Sequence, residues 1–318
     1  MAVAVAVVAV VVTAKLTNVD AFGRAFGHFV PVWIVLIAGA EVIAYAGYVV
    51  AYRSIARIHG HAPLALPLVA RVVVAGFGPF SIGGGFGIDK RVLHALHEDE
   101  RSARVRVLAL GILEWAVLAP ATAIVAIVML AEHADVMPSL LWPWAIAVPA
   151  GFAFALWASR PSHIEWLRRH RRWGWLCQAI EGVGALHTLI RRPREYAGAW
   201  IGTALYWAGD IAAFYGGLQA FGLQPGFGKV LVAYATGYAA TRRSLPFGGA
   251  GFTEVLMAYA LYWVRQPLAP SLAAVVAYRG FNLVLASMPA LIAHEQLQPL
   301  LARATLRTPR PPAVDRPD

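Results

Sequence analysis

Gly84-Gly85-Phe86-Gly87-Ile88-Asp89 and, far downstream, Gly248-Gly249-Ala250-Gly251-Phe252-Thr253-Glu254 are one glycine phrase written twice. Each follows a short apolar run containing proline, and each opens a segment that reads as helix. The surroundings are strongly hydrophobic, where flexible backbone is normally avoided. A helix broken at membrane depth leaves backbone polar groups unpaired, which is tolerated only in buried protein or beside a watery cavity. Two such breaks in corresponding places predict a substrate path through a transporter-like fold.

The composition agrees. Of 318 residues, 59% are hydrophobic and 14% charged, against about 25% charged in soluble domains. An ordinary soluble domain is excluded, and the expected class is an all-α, polytopic membrane protein. The single cysteine, Cys177, rules out an intrachain disulfide. The basic residues number 27, only Lys15, Lys90 and Lys229 being lysines, and the net charge is +10. Positive-inside bias accounts for most of that charge. The same charge would also suit anionic lipid headgroups.

Met1–Thr13 reads as a first membrane helix, extending to Val19 with Lys15 snorkelling, rather than as a removed signal peptide. Val30–Tyr52, Val107–Ala131, Leu140–Ser159, Tyr196–Phe221 and Ser271–Ala293 are each long enough to cross a bilayer. Leu64–Ile88 and Lys229–Val264 contain the glycine phrases, and loop charge decides their course. Arg53 and Arg57, and the eight arginines of 160–195, belong on the cytoplasmic side, whereas the loop around Glu132 and Asp135 belongs outside. Every loop falls correctly only if both glycine segments return to the side they came from. The expected architecture is about six full transmembrane helices plus two inverted re-entrant helical hairpins, an integral domain over residues 1–294.

Within it, Arg160–Arg194 interleaves Trp166, Leu167, Trp173, Trp175 and Leu176 with Arg168, Arg169, Arg171 and Arg172. That pattern suits an amphipathic helix on an anionic leaflet, and the flanking spans argue against nucleic acid. Residues 295–318, Pro- and Arg-rich from Thr305, are expected to form a disordered cytoplasmic tail. No soluble catalytic domain is left to place.

The late run Pro246-Phe247-Gly248-Gly249-Ala250-Gly251-Phe252-Thr253-Glu254, with Tyr278-Arg279 some 25 residues on, is similar to the flippase-like transmembrane region of lysylphosphatidylglycerol synthases. So is the first glycine hairpin, followed by a charged helix and a span beginning at Val107. The resemblance covers roughly Val30–His294. It implies a stand-alone inner-membrane relative that binds or translocates a lipid: an anionic or aminoacylated phospholipid, or a polyprenyl phosphate. The synthases add a C-terminal soluble transferase domain. With none here, their aminoacyl transfer is not carried over. An alternative is the membrane component of a lipid-modifying enzyme, or an envelope assembly partner. The first phrase ends in Asp89-Lys90-Arg91, one residue shorter than the second. Where the family commonly has an acid followed by arginine, this chain has Glu114-Trp115.

Glycines admit positive φ and close approach of bare backbone to a ligand. A helix opening just after them aims free N–H groups and its positive dipole end into the crevice, where an anion is favoured. Arginine grips phosphate bidentately. The candidate headgroup-binding residues are therefore Gly83, Gly84, Gly85, Gly87, Asp89, Lys90 and Arg91 at the first phrase. At the second they are Arg242, Arg243, Pro246, Gly248, Gly249, Gly251, Glu254 and, across from them, Arg279.

Glu114 and Asp210, within apolar spans, are candidate coupling groups. Glycines also pack membrane helices closely, and intramembrane charges also pair to lock helices, Glu254 with Arg279 for instance. Both readings stay open. Gly78–Gly84 lacks the Gly-Lys-Ser/Thr ending of a P-loop, and His94 with His97-Glu98 does not form the His-Glu-x-x-His zinc pattern. No catalytic residue, metal or cofactor is expected. The expected partners are membrane lipids with anionic headgroups, a second copy of the chain, or an envelope-biogenesis protein.

Overall fold

The computed structural model describes residues 23–25, 27, 29–58, 64–77, 86–96, 100–158, 160, 165, 174–239 and 252–305. They form helices: α1 (Trp33–Ile55), α2 (Leu66–Phe77), α3 (Phe86–Ala95), α4 (Glu100–Ala131), α5 (Pro138–Ala158), α6 (Gly174–Arg191), α7 (Ala197–Ala220), α8 (Phe227–Ala239), α9 (Phe252–Trp263) and α10 (Leu268–Thr305).

Four helices are long and apolar enough to cross a membrane: Trp33–Ile55, Val105–Ala131, Pro138–Ala158 and Leu268–Ala302. Their outer faces carry large apolar side chains in the open, among them Val35, Val42, Ile124, Phe154, Trp157, Val284 and Met288. A water-soluble surface does not sustain such continuous patches, whereas lipid tails solvate them, as in a multi-pass membrane protein. Prolines inside α4 (Pro120), α5 (Pro143, Pro149) and α10 (Pro289, Pro299) fit the same setting, since membrane helices accommodate them through neighbouring groups.

The centre of the bundle is the antiparallel pair α1–α7. Ala40, Ala44, Gly47 and Ala51 on α1 meet Gly202 and Gly209 on α7 backbone to backbone. A methyl group added at Gly202 would lie 2.5 Å from the Gly47 oxygen, and one at Gly209 2.5 Å from the Ala40 oxygen. Gly216 continues the stripe against Leu36 and Ile37. Small residues at such spacing let membrane helices approach until their backbones touch. The sequence reading weighed close packing against ligand binding for the glycines of the doubled phrase and did not single out those of α7. Among the described residues, the closest contacts of glycine with backbone atoms of another helix lie on this stripe. α7 has spanning length, about 36 Å at 1.5 Å per residue, but it owes its place to close packing and polar contacts, with Thr203, Tyr206, Trp207 and Asp210 all buried.

Two shorter helix pairs, α2–α3 and α8–α9, frame the glycine phrases. Each arm has 10 to 13 residues, about 15–20 Å, or little more than half of a roughly 30 Å hydrocarbon core. α9 begins at Phe252, directly after the glycines of the second phrase, and α3 begins at Phe86, within the first phrase, with Gly87 in its first turn. The first pair runs further than expected: its returning arm continues to Ala95 rather than stopping at Ile88.

The open ends of the two pairs lie at opposite ends of α4. Leu93 of α3 packs with Ala103 and Val107, near the start of α4. Gly228 of α8 lies against Val125 and Met129, near its finish. At that far end Met137 N–H bonds the Trp263 carbonyl at 3.0 Å, and Arg265 pairs with Asp135 at 3.0 Å. This ion pair is half open to its surroundings, so screening keeps its contribution below about 1 kcal/mol. Asp135→Ala is expected to leave the melting temperature of the purified protein nearly unchanged in a detergent thermal scan.

Two expectations are corrected. Residues 295–305 are helix, not disordered tail. Leu297 is buried and Leu300 and Leu301 pack against the core, an apolar face that extends α10 past the span. The arginine-rich region is in part a bundle element. α6 packs on α4, and a methyl at Gly182 would meet Ile112 at 2.7 Å and Leu108 at 3.3 Å. The residues Trp166–Trp173 of the expected interfacial pattern lie outside the described residues, as do Met1–Val19 and 306–318.

Candidate functional site

Polar groups gather where the middles of α1, α4 and α7 meet α8, α9 and α10. Asp210, at mid-length in α7, is 0% exposed. Its Oδ2 accepts the Tyr234 hydroxyl at 2.6 Å and the Tyr238 hydroxyl at 3.2 Å. Its Oδ1 accepts the Tyr278 hydroxyl at 2.5 Å and, at a long 3.5 Å, the Asn282 side-chain amide. Short O–H···O bonds are expected where hydroxyls donate to a carboxylate. Tyr234 and Tyr238 lie one turn apart on α8, as do Tyr278 and Asn282 on α10. Each pair therefore presents both donors on one helix face. One carboxylate thus ties three helices together.

Beside it, Arg279 on α10 donates Nε–H to Glu254 Oε1 at 3.0 Å, with side chains only 16% and 10% exposed. Glu254 stands in the first turn of α9, just after the second glycine phrase. Its charge offsets the positive end of the α9 dipole while it binds the guanidinium. Glu41 of α1 is also buried. On α4, Glu114 accepts the Tyr48 hydroxyl at 2.8 Å, and the Glu114 backbone carbonyl accepts the Trp207 indole N–H at 2.9 Å.

An aromatic chain joins the two helix pairs. Phe77, the last residue of α2, packs edge-on against Tyr45 and Tyr48 and lies 6.0 Å from the Tyr206 ring. Tyr206 touches Trp207 at 4.7 Å, and Trp207 meets Tyr238 edge-on at 5.7 Å. Tyr238 stands near the end of α8 and stacks on Tyr234 at 4.7 Å. Both pairs thus turn their inner ends to adjacent residues at the middle of α7.

The residues singled out from sequence divide into three groups. Glu254, Arg279, Glu114 and Asp210 come together in this cluster. Asp89 is 3% exposed in the first turn of α3, Lys90 is half-buried, and Arg91 is exposed, its Nε–H turned back to the Gly87 carbonyl at 3.3 Å. Gly87 has open space where a side chain would be. Gly83, Gly84, Gly85, Arg242, Arg243, Pro246, Gly248, Gly249 and Gly251 lie outside the described residues.

The sequence reading missed Tyr48, Trp207, Tyr234, Tyr238 and Asn282, and took Tyr278 only as half of a dipeptide. The signal it passed over was hydroxyl and amide residues at four-residue spacing in apolar helices. Among the described residues no three His, Cys, Asp or Glu side chains gather as a metal site. Compared with known protein families and with curated proteins, the sequence matches none.

Proposed function

We propose that this chain is an inner-membrane lipid transporter in which two re-entrant hairpins, α2–α3 and α8–α9, enter from opposite faces and bring their tips to one mid-membrane crevice. In this reading α1, α4, α5, α7, α10 and the N-terminal apolar segment make six spans. The observation that carries it is the meeting of both helix pairs on Tyr206 and Trp207, next to buried charges. Half-length helix pairs around central ionisable groups are the architecture by which transporters place a binding site at the bilayer midplane. Buried charge at that depth is costly and marks substrate or ion paths. The placement of Asp135, Arg265 and Trp263 at one end, and of Leu93 with Val107 at the other, supports the inverted arrangement.

The headgroup reading follows from charge. Glu41, Glu114, Asp210 and Glu254 are buried and Glu254 pairs with Arg279, and this gathering of acids suits an amine. The arginines flanking the glycine phrases, Arg91, Arg242 and Arg243, suit a phosphate. Of the lipids the resemblance to the lysylphosphatidylglycerol synthase region implies, an aminoacylated phospholipid satisfies both.

The test is the purified chain in vesicles carrying a fluorescent amine-bearing phospholipid or a fluorescent phosphatidylglycerol, with an impermeant quencher outside. Quenching of inner-leaflet lipid should be faster than in protein-free vesicles, most of all for the amine-bearing probe. Glu254→Gln should slow it tenfold or more. Rates equal to protein-free vesicles for both probes, with folded protein, would reject the transporter. Chemical conversion of the probe would point to the lipid-modifying enzyme instead.

A further inference from the structure

We propose that the seam between α5 and α8 is the lateral opening by which a phospholipid headgroup passes between the bilayer and the central cluster, with Trp144 and Thr236 as its latch. The proposal rests on the transporter reading for its purpose; whether the seam admits a lipid can be measured without transport.

α8 is a half-length arm closed in almost completely. Val230–Ala235 are at most 4% exposed, and Tyr238 is 2% exposed. α4 and α9 pack along it, and α7 holds it through the two tyrosine bonds to Asp210. Among the described residues α5 meets it only locally. There the Trp144 indole N–H donates to the Thr236 hydroxyl at 2.9 Å, and that hydroxyl donates to the Val232 carbonyl at 2.7 Å. An indole N–H can only donate, and lipid tails offer it no acceptor, so the bond favours a closed seam. Hydrogen bonds between membrane helices are nonetheless weak and shift such an equilibrium by roughly threefold. A latch of that strength can open.

The other flanks of the cluster are shut more firmly. The Glu254–Arg279 pair ties α9 to α10, Asp210 ties α7 to α8 and α10, and α1 touches α7 backbone to backbone. α5 is held more loosely. Four of its 21 residues are buried, Leu140, Leu141, Trp144 and Ala158, and three of these lie in its first two turns. Pro143 and Pro149 bracket the stretch that follows. Each removes a helical N–H, which makes these the places where the helix bends most easily.

The seam also leads to the right depth. α4 forms its floor, since both α5 and α8 pack on it. Gly228, at the start of α8, lies against Val125 and Met129 of α4. Counting inward at 1.5 Å per residue, Thr236 is about 12 Å deeper than Gly228, and Glu114 about 16 Å deeper than Val125. The latch therefore lies within about one helical turn of the depth of Glu114, whose backbone carbonyl receives the Trp207 indole. A headgroup that passes the latch arrives beside Glu114 and Trp207. Its chains stay in the bilayer against the outer face of α5, where Ile146 and Phe154 are exposed.

The test uses the full-length protein in vesicles doped with a phospholipid that carries a diazirine next to its headgroup. After illumination the labelled residues are located by mass spectrometry, with label on the outer face of α1 as the reference. Trp144→Phe removes the donor and Thr236→Val the acceptor. Each should raise labelling of residues 227–239 by roughly threefold, the worth of the lost bond, while Asp135→Ala leaves it unchanged. The converse is a locked seam: Trp144→Cys with Thr236→Cys, in a Cys177→Ser background, joined by a short bis-methanethiosulfonate. Labelling of α8 should fall to background and lipid movement in the quenching assay should stop, both returning when the link is reduced. Thr236→Val carries the test where the cysteine pair does not fold. Labelling of α8 that ignores the latch variants would overturn the proposal. So would lipid movement at full rate with the seam locked. Labelling that follows latch and lock in vesicles without any lipid movement would reject transport and leave the seam standing as a lipid-binding opening.

Discussion

Gly209→Ala is expected to cost about 3 kcal/mol or more and to lower the melting temperature in detergent by roughly 6–12 °C. The added methyl would lie 2.5 Å from the Ala40 carbonyl oxygen and 2.6 Å from the Ala44 nitrogen, both backbone atoms of α1. No side-chain rotation relieves such a contact; the two helices must separate, and the clamp that holds Asp210 separates with them. Gly209→Leu should yield no folded protein. Gly198→Ala on the same helix is the control. Its methyl would meet only side-chain atoms of Ser54 and Val50, at 3.4 Å or more, an ordinary contact, so helix propensity should leave stability unchanged or slightly raised. Tryptophan fluorescence during a thermal scan separates the cases. A Gly209→Ala protein that melts with the wild type would show that the α1–α7 contact is not the close seam described.

Removing one partner of the Glu254–Arg279 pair is expected to be the next most damaging change. Both side chains are largely buried, 10% and 16% exposed. Glu254→Ala would leave a guanidinium without its carboxylate, and breaking a buried pair in this way costs about 3–5 kcal/mol. The double variant Glu254→Ala/Arg279→Leu removes both charges and should recover a large part of that loss, because a buried ion pair and an apolar replacement are often close in stability. Stability and lipid movement should then diverge, with the double variant folded but inactive in the vesicle assay. A cycle with additive losses would mean that the two groups do not depend on each other. A double variant with full activity would mean that the pair only locks α9 to α10, the structural alternative its position in the sequence left open.

The comparison of sequence with structure turns on particular residues. Apolar runs were enough to place the helices α1, α4, α5, α7 and α10, because hydropathy and the thickness of a bilayer act on the chain one segment at a time. The start of α3 after Gly85 and of α9 after Gly251 was legible for the same reason: glycine ends or opens helices locally. The Glu254–Arg279 pair could be named in advance because few charges lie at that depth and each needs an opposite one. Where the chain continues as helix was less legible. Ile88 and His294 look like ends when hydropathy alone is read, yet α3 and α10 continue, since Leu93 and Leu297 find partners on other helices.

The sequence by itself therefore determined the class of the protein, the order of its helices and the places where they break, all properties set by local apolarity, charge and glycine. Only the tertiary structure decided which glycines make the close seam, and that Asp210 is held by three tyrosines from two other helices. It also decided that Phe77 of α2 and Tyr238 of α8 reach the neighbouring rings of Tyr206 and Trp207. Those are contacts between residues distant in the chain, and their geometry depends on how closely α1 and α7 approach.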